Sequence, residues 1–426
     1  MRASVAVLSG LLATTTAAVS HATSDMLLGF GPRNVALLQS DVADARPVTA
    51  AWVNPARLWE PGLRLSAGYT HGLSGLKING DDGAVRDIAG TQIAFQVGKK
   101  LKDTVMLGGG LTMHLPNRSM ARLAFLPATE PLFVRFDPAS QRMTFNAALA
   151  LRWARLSLGA GASVLASANG QVDLLLGQDA NGAFADGGAD VRVPYHIAPI
   201  VGLALDLGSV GVALRYRGAQ GVGVKLDTAA RVDVSGNPLN GTTTVGIDGV
   251  SGYVPATLDL AARWTILPGV VGMVSLQLAT WSRGPGSWAT LSMDVDLGLS
   301  PGLREGEFVR PGYRDTISPR VGLEVSPTKG ESAWVLRAGY AFTPSPVPQP
   351  KGFASPADAS THGVGAGAGV DLGKLGGVGL RVDAAMQWLR LNHRWFDKGQ
   401  DTLPFARYAA SGFVGTGSIA VEGRWK

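Results

Sequence analysis

Residues 253–267 read YVPATLDLAARWTIL, and the stretch divides into two faces with a period of two. Val254, Ala256, Leu258, Leu260, Ala262, Trp264 and Ile266 fall on one side, while Thr257, Asp259, Arg263 and Thr265 fall on the other. Alternation sustained over that length describes a β-strand with one apolar and one wet face. A strand crossing a bilayer needs about 9–11 residues, and this run supplies them. Backbone polar groups in hydrocarbon must be paired within the protein, so a sheet that crosses has to close on itself.

The same split recurs elsewhere. Val378, Leu380, Val382, Ala384, Met386 and Trp388 stand opposite Arg381, Asp383 and Gln387. Phe145, Leu149, Leu151 and Trp153 oppose Asn146 and Arg152, and Trp334, Leu336, Tyr340 and Phe342 oppose Arg337. Strands are predicted at 63–73, 91–102, 104–115, 141–153, 155–168, 190–207, 208–225, 252–267, 270–283, 316–327, 331–343, 362–373, 376–392 and 407–425. Their connections alternate between a few residues and the long segments 74–90, 116–140, 169–189, 226–251, 284–315, 344–361 and 393–406. Tight turns on one rim and long loops on the other are the habit of outer-membrane barrels. The expectation is all-β: a 14-stranded antiparallel transmembrane β-barrel over 63–426 with an N-terminal lumenal hatch, monomeric, in the outer membrane of a Gram-negative type envelope. A water-soluble β-sandwich is the competing fold.

A charge facing lipid at mid-membrane costs roughly 2–4 kcal/mol. Arg152, Arg215, Arg217, Asp259, Arg263, Arg320, Glu324, Arg337, Arg381, Asp383 and Glu422 are therefore expected in the lumen, either as a stiffening ion-pair lattice or as contacts to a solute. Trp153, Trp264, Trp334 and Trp388 at strand ends fit interfacial girdles.

Ahead of the strands, Met1-Arg2, an apolar run from Val5 to Ala18 and Ser20-His21-Ala22 read as a signal peptide over 1–22. Residues 23–62 do not alternate. About half of them are apolar or small, and apolar surface left in water is unfavourable, so a plug folded back into the lumen is predicted. Glycine contributes 57 of 426 residues and charged residues 16%. The formal charge of +6 is scattered, without the basic run that a nucleic-acid partner requires. There is no cysteine, which rules out a disulfide scaffold and thiolate metal sites.

The segment 29–58, GFGPRNVALLQSDVADARPVTAAWVNPARL, resembles the N-terminal hatch of the long-chain fatty acid outer-membrane transporter (FadL) family, and Asn54-Pro55-Ala56 matches the family's motif there. YVPATLDLAARW and VSLQLATWSR (274–283) are similar to its proline-containing strand and its Trp-Ser strand end, and LRAGYAFTPSPVPQP (336–350) is similar to a further strand and loop. The resemblance implies a hatch that blocks the lumen and capture of a hydrophobic ligand by apolar outer loops. It further implies a pocket beside the N-terminal segment and exit sideways through a kink in the third strand.

The residues offer candidates for those roles. Loop 116–140 holds Phe125, Leu126, Phe133 and Phe136, a density explained equally by ligand capture and by the loop packing on itself. Leu27, Leu28 and Phe30 reach toward a pocket from below or simply anchor the plug. Gly108, Gly109 and Gly110 tolerate a bulge, so they are the kink candidates. The six histidines show neither hydrolase nor metal-ligand spacing, and no enzyme, cofactor or metal is expected. The expected partners are hydrophobic small molecules or lipids and the outer-membrane lipid. A non-transporting barrel that serves as a docking scaffold for secretion or surface attachment is the alternative function.

Overall fold

A computed structural model describes residues 28–83, 85, 87–117, 131–136, 143–166, 169–176, 188–192, 195–232, 241–284, 289–296, 312–327, 333–351, 355–403 and 405–425. The proposed signal peptide, Leu27, Phe125 and Leu126 lie outside the described residues.

Alternating side chains become the staves of a closed cylinder. The strands are β1 (Gly62–Ser74), β2 (Ile88–Lys102), β3 (Val105–Pro116), β4 (Thr144–Trp153), β5 (Leu156–Ala166), β6 (Tyr195–Asp206) and β7 (Val210–Arg217). They continue as β8 (Thr257–Leu267), β9 (Val270–Ala279), β10 (Thr316–Val325), β11 (Ala333–Thr343), β12 (Thr361–Leu375), β13 (Val378–Asp397) and β14 (Arg407–Trp425). Each pairs antiparallel with the next, and β1 pairs with β14 from Leu63↔Trp425 to Ser74↔Val414, which leaves no edge. The strand count and order are those of the sequence reading.

Burial fixes which face is which. In β8, Leu260 is 59% exposed while its neighbour Asp259 is fully buried. Leu149, Leu276, Ile317, Leu336, Val364 and Met386 are likewise exposed, whereas Arg215, Arg320, Arg337 and Asp383 are buried. An outer coat of aliphatic residues around a polar interior is a barrel immersed in lipid. No described helix is long and apolar enough to cross a membrane. At one short turn, Gly376 and Gly377 take φ of 57° and 86°, the two left-handed positions that a type I′ hairpin asks for.

Two expectations need correction. Three long connections contribute strands of their own, residues 169–176, 188–192, 220–232, 241–254 and 289–296, which form a separate five-stranded sheet. Runs such as Thr242-Thr243-Thr244-Val245 carry the β-branched residues that strands favour, and the sequence reading passed over them as loop. The second correction concerns β3. Gly108, Gly109 and Gly110 pair in unbroken register with Gly98, Val97 and Gln96 on one side and with Ala150, Leu149 and Ala148 on the other. The ladder carries no bulge at these glycines. Their role is steric: a Cβ on Gly108 would stand 2.0 Å from the Leu58 carbonyl oxygen of the plug.

Candidate functional site: the cavity above the plug

The segment before β1 folds into the lumen as short helical turns, α1 (Gly31–Ala36), a 3-10 turn at Asp41–Asp44, another at Pro47–Thr49, α2 (Ala50–Val53) and a last turn at Pro55–Arg57. Alternation is absent because a plug has no lipid side; Val35, Leu37, Ala51, Val53 and Leu58 are all fully buried. Asn54 ties the plug together. Its Oδ1 accepts from the Ala56 amide at 3.1 Å, and its Nδ2 donates to the Val42 carbonyl at 2.9 Å. Pro55 opens the turn at a position where no amide hydrogen is needed. Glycines on the wall let this backbone approach closely. A Cβ on Gly159 would stand 2.3 Å from Pro55 C, and one on Gly365 would stand 2.4 Å from Ala36 O.

Charges join plug to wall. Arg33 Nε lies 2.8 Å from Glu324, which also receives Arg337 Nε at 2.6 Å. Arg337 Nη1 and Arg46 Nη1 each approach Asp383 at 2.8 Å. Arg57 pairs with Asp206 at 2.7 Å, and Arg263 bridges Asp206 at 3.1 Å to plug residue Asp44 at 3.4 Å. Loss of water pushes Arg46 down to about 10 and raises the Asp41 carboxyl despite the neighbouring Arg33. Buried charges tolerate such burial only when paired, and this lattice supplies the pairs.

Above the plug lies a cavity of about 120 Å³. Its floor is Leu38 and Trp52, and its apolar sides are Phe136, Tyr253, Trp281 and Leu389. Trp281 is held edge-on by Tyr253 and Tyr313, with ring centroids 6.2 and 6.3 Å away. A polar flank carries Arg215, Gln277, Ser318 and Arg320. Size is informative: an engineered apolar cavity of about 150 Å³ accepts benzene.

Two loop segments meet on the long-loop side as a cap. Leu132–Phe133 pairs in parallel with Pro356–Ala357. Arg135 anchors the join, with its Nε 2.9 Å from Asp358 Oδ2 and its Nη2 donating to Thr361 Oγ1 at 2.9 Å. Burial raises the Asp358 carboxyl, opposed by Arg135. Tyr408 Oη donates to Pro356 O at 2.8 Å, and Lys398 Nζ to Ser355 Oγ at 2.8 Å.

The structure brings some of the sequence candidates together and separates others. Phe136 lines the cavity. Phe133 and Leu28 belong with it to one buried apolar cluster that also contains Trp281. Phe30 sits elsewhere: it lines a smaller cavity of about 30 Å³ with Arg46, Gln92 and Glu422, and its ring stacks on Trp52 at 6.0 Å. The sequence reading did not single out Trp52, Tyr253, Trp281 or Gln277 as pocket residues. Parity offered a signal, because Gln277, Ala279 and Trp281 share the lumenal phase of β9 and its end. Among the described residues, no group of three or more His, Asp or Glu is placed to hold a metal ion.

A closed barrel of fourteen antiparallel strands with a lumenal plug and a capped apolar cavity defines a structural class, and comparison with known proteins agrees. The chain has the fold of outer-membrane transporters of the FadL type. A Pseudomonas aeruginosa FadL homologue aligns over 96% of this chain and 99% of its own, at 14% identity and a TM-score of 0.54. The P. putida toluene transporter TodX aligns over 94% and 99%, at 16% identity and a TM-score of 0.57. The monoaromatic hydrocarbon channel CymD aligns over 92% and 97%, at 14% identity and a TM-score of 0.52. No family model and no curated protein sequence matches the chain.

Proposed function

We propose that this protein is a monomeric outer-membrane channel that admits compounds with a hydrophobic body by passive diffusion. One observation carries the reading: a cavity with a mainly apolar lining between plug and cap inside a closed barrel. A pore for polar solutes wants an open, wet lumen, whereas an apolar solute wants a concave, dry wall with few polar anchors. The neighbours in fold include a toluene transporter and a hydrocarbon channel, which fits a solute of that kind here.

In this reading the solute is captured beside the apolar residues of the cap, settles against Trp52 and leaves after the plug rearranges. Exit follows the seam between plug and wall. Support for that route comes from the second cavity under Phe30, lined by Ser66, Gln92 and Ala420 of the wall, and from the unbroken ladders of β3.

The test is uptake of labelled toluene and of a labelled long-chain fatty acid by cells with and without the gene. Faster entry of either solute in the gene-bearing cells is expected. If neither depends on the gene, transport gives way to the scaffold reading, in which the barrel only displays its outer sheet.

A further inference from the structure

Among the described residues, the cavity above the plug is lined by three arginines and by no carboxylate. Two of these charges are matched. Arg135 is held by Asp358, and Arg215 gives Nε and Nη2 to Asp259 Oδ2 at 3.0 and 2.7 Å. The third is not. Arg320 donates through Nη2 to Gln277 Oε1 at 2.8 Å, but its Nη1 has no hydrogen-bond acceptor among the described residues. The nearest carboxylate oxygen, Asp259 Oδ1, lies 3.6 Å away and already accepts from Gln277 Nε2 at 3.0 Å. Plug residue Asp41 is engaged by Arg33 and Asn34. The Arg320 side chain is 93% buried by its 7% exposure, so water offers it little compensation.

A buried guanidinium with one amino group outside any hydrogen bond gains from an anion that completes it. Arginine is suited to that task, because its planar fork meets a carboxylate with two parallel donors. The rings of Trp52, Phe136 and Trp281 line the same cavity, and the space of about 120 Å³ suits one aromatic ring better than a long acyl chain.

We infer that the cavity binds a single-ring aromatic carboxylate, with the ring against Trp52, Phe136 and Trp281 and the carboxylate on Arg320 Nη1. The inference rests on the uptake reading above and narrows it from any hydrophobic body to one bearing a single acidic head. Arg320 is then the residue that separates acids from neutral hydrocarbons, and Gln277 is its positioning partner.

The test is calorimetric titration of the full barrel in zwitterionic detergent with sodium benzoate, benzyl alcohol and toluene, using wild type and R320Q. Benzoate should bind at least tenfold more tightly than benzyl alcohol. R320Q should lower benzoate affinity at least tenfold while changing benzyl alcohol affinity less than twofold, which also shows that the variant is folded. If benzyl alcohol and toluene bind and benzoate does not, the acid assignment is overturned while the apolar pocket stands. Equal loss of benzoate and benzyl alcohol in R320Q overturns the role given to Arg320. If none of the three binds, the pocket reading itself fails.

Discussion

Phe30 and Trp52 stack with ring centroids 6.0 Å apart and 25° between their planes, and each ring lines a different cavity. The pair therefore lies between the cavity above the plug and the smaller one between plug and wall. Trp52 is held in place by Arg217, whose Nη2 donates to the Trp52 carbonyl and whose guanidinium lies 4.9 Å from the ring centroid. Phe30 is tied through its amide, which donates to Asn34 Oδ1 at 3.0 Å, and among the described residues no cation lies over its ring. Removing a buried phenyl ring costs a core about 3–5 kcal/mol, but here the loss falls on the plug and not on the barrel ladders. Phe30→Ala should join the cavities and raise conductance in planar bilayers severalfold over wild type. Unchanged conductance would show that the pair does not separate the two cavities.

The glycines of β3 make a second prediction, because the kink and plug-room readings assign them differently. A Cβ on Gly108 would press on Leu58 O at 2.0 Å, whereas one on Gly109 would meet only the flexible end of Leu149 at 3.0 Å. Gly108→Ala should therefore speed hydrogen exchange of amides 50–58 at least tenfold, while Gly109→Ala leaves them near wild type. Equal effects of the two substitutions would argue for a strand break and against a plug seat.

Glu324 joins an arginine of the plug to one of the wall. Arg33 and Arg337 both bond its Oε2, at 2.8 and 2.6 Å. Breaking a buried pair from one side typically costs about 3–5 kcal/mol, and Glu324→Gln leaves two guanidinium groups without their shared partner. The barrel strands keep their hydrogen bonds, so the expected result is a leaky plug. Liposomes carrying Glu324→Gln should swell faster in an arabinose gradient than those carrying wild type, with the barrel still running as a folded band on unheated gels. Swelling at the wild-type rate would show that the lattice does not hold the plug.

The barrel was legible because its two faces meet opposite solvents. Leu260 beside Asp259, or Met386 beside Gln387, shows the period of two without knowledge of any partner. The plug was legible by default, as a segment too apolar to leave in water yet lacking that period. The cavity was harder to read. Trp52, Gln277, Trp281 and Arg320 come from three separate parts of the chain, and only closure of the sheet brings them together. Nothing local marks Arg320 as different from Arg337, which also faces the lumen but finds two carboxylates. Gly108 is ambiguous in the sequence for a related reason. Glycine's tolerance of bent backbone and its lack of a side chain look the same in a sequence, and here the second property is the one used.

Arg135 and Asp358 hold the two segments of the cap together. Their contact joins segment 131–136 to segment 355–359 over the cavity, with side chains 3% and 0% exposed. Arg135→Ala removes the cation, the bond to Thr361 Oγ1 and the bond to Ala359 O, and it leaves the buried Asp358 carboxylate with only the hydrogen bonds from Ser345 and the Ala359 backbone. A loss of about 3 kcal/mol, the low end for a broken buried pair, shifts an opening equilibrium by roughly a hundredfold, since each 1.4 kcal/mol is a factor of ten. The chain contains no cysteine, so access can be read directly from a single thiol at Leu389, a buried residue of the cavity wall. In the Leu389→Cys background, Arg135→Ala should speed labelling by a water-soluble thiol reagent at least tenfold. The same labelling rate with and without Arg135 would mean that solutes reach the cavity by another path and that the buried pair serves only to hold the fold.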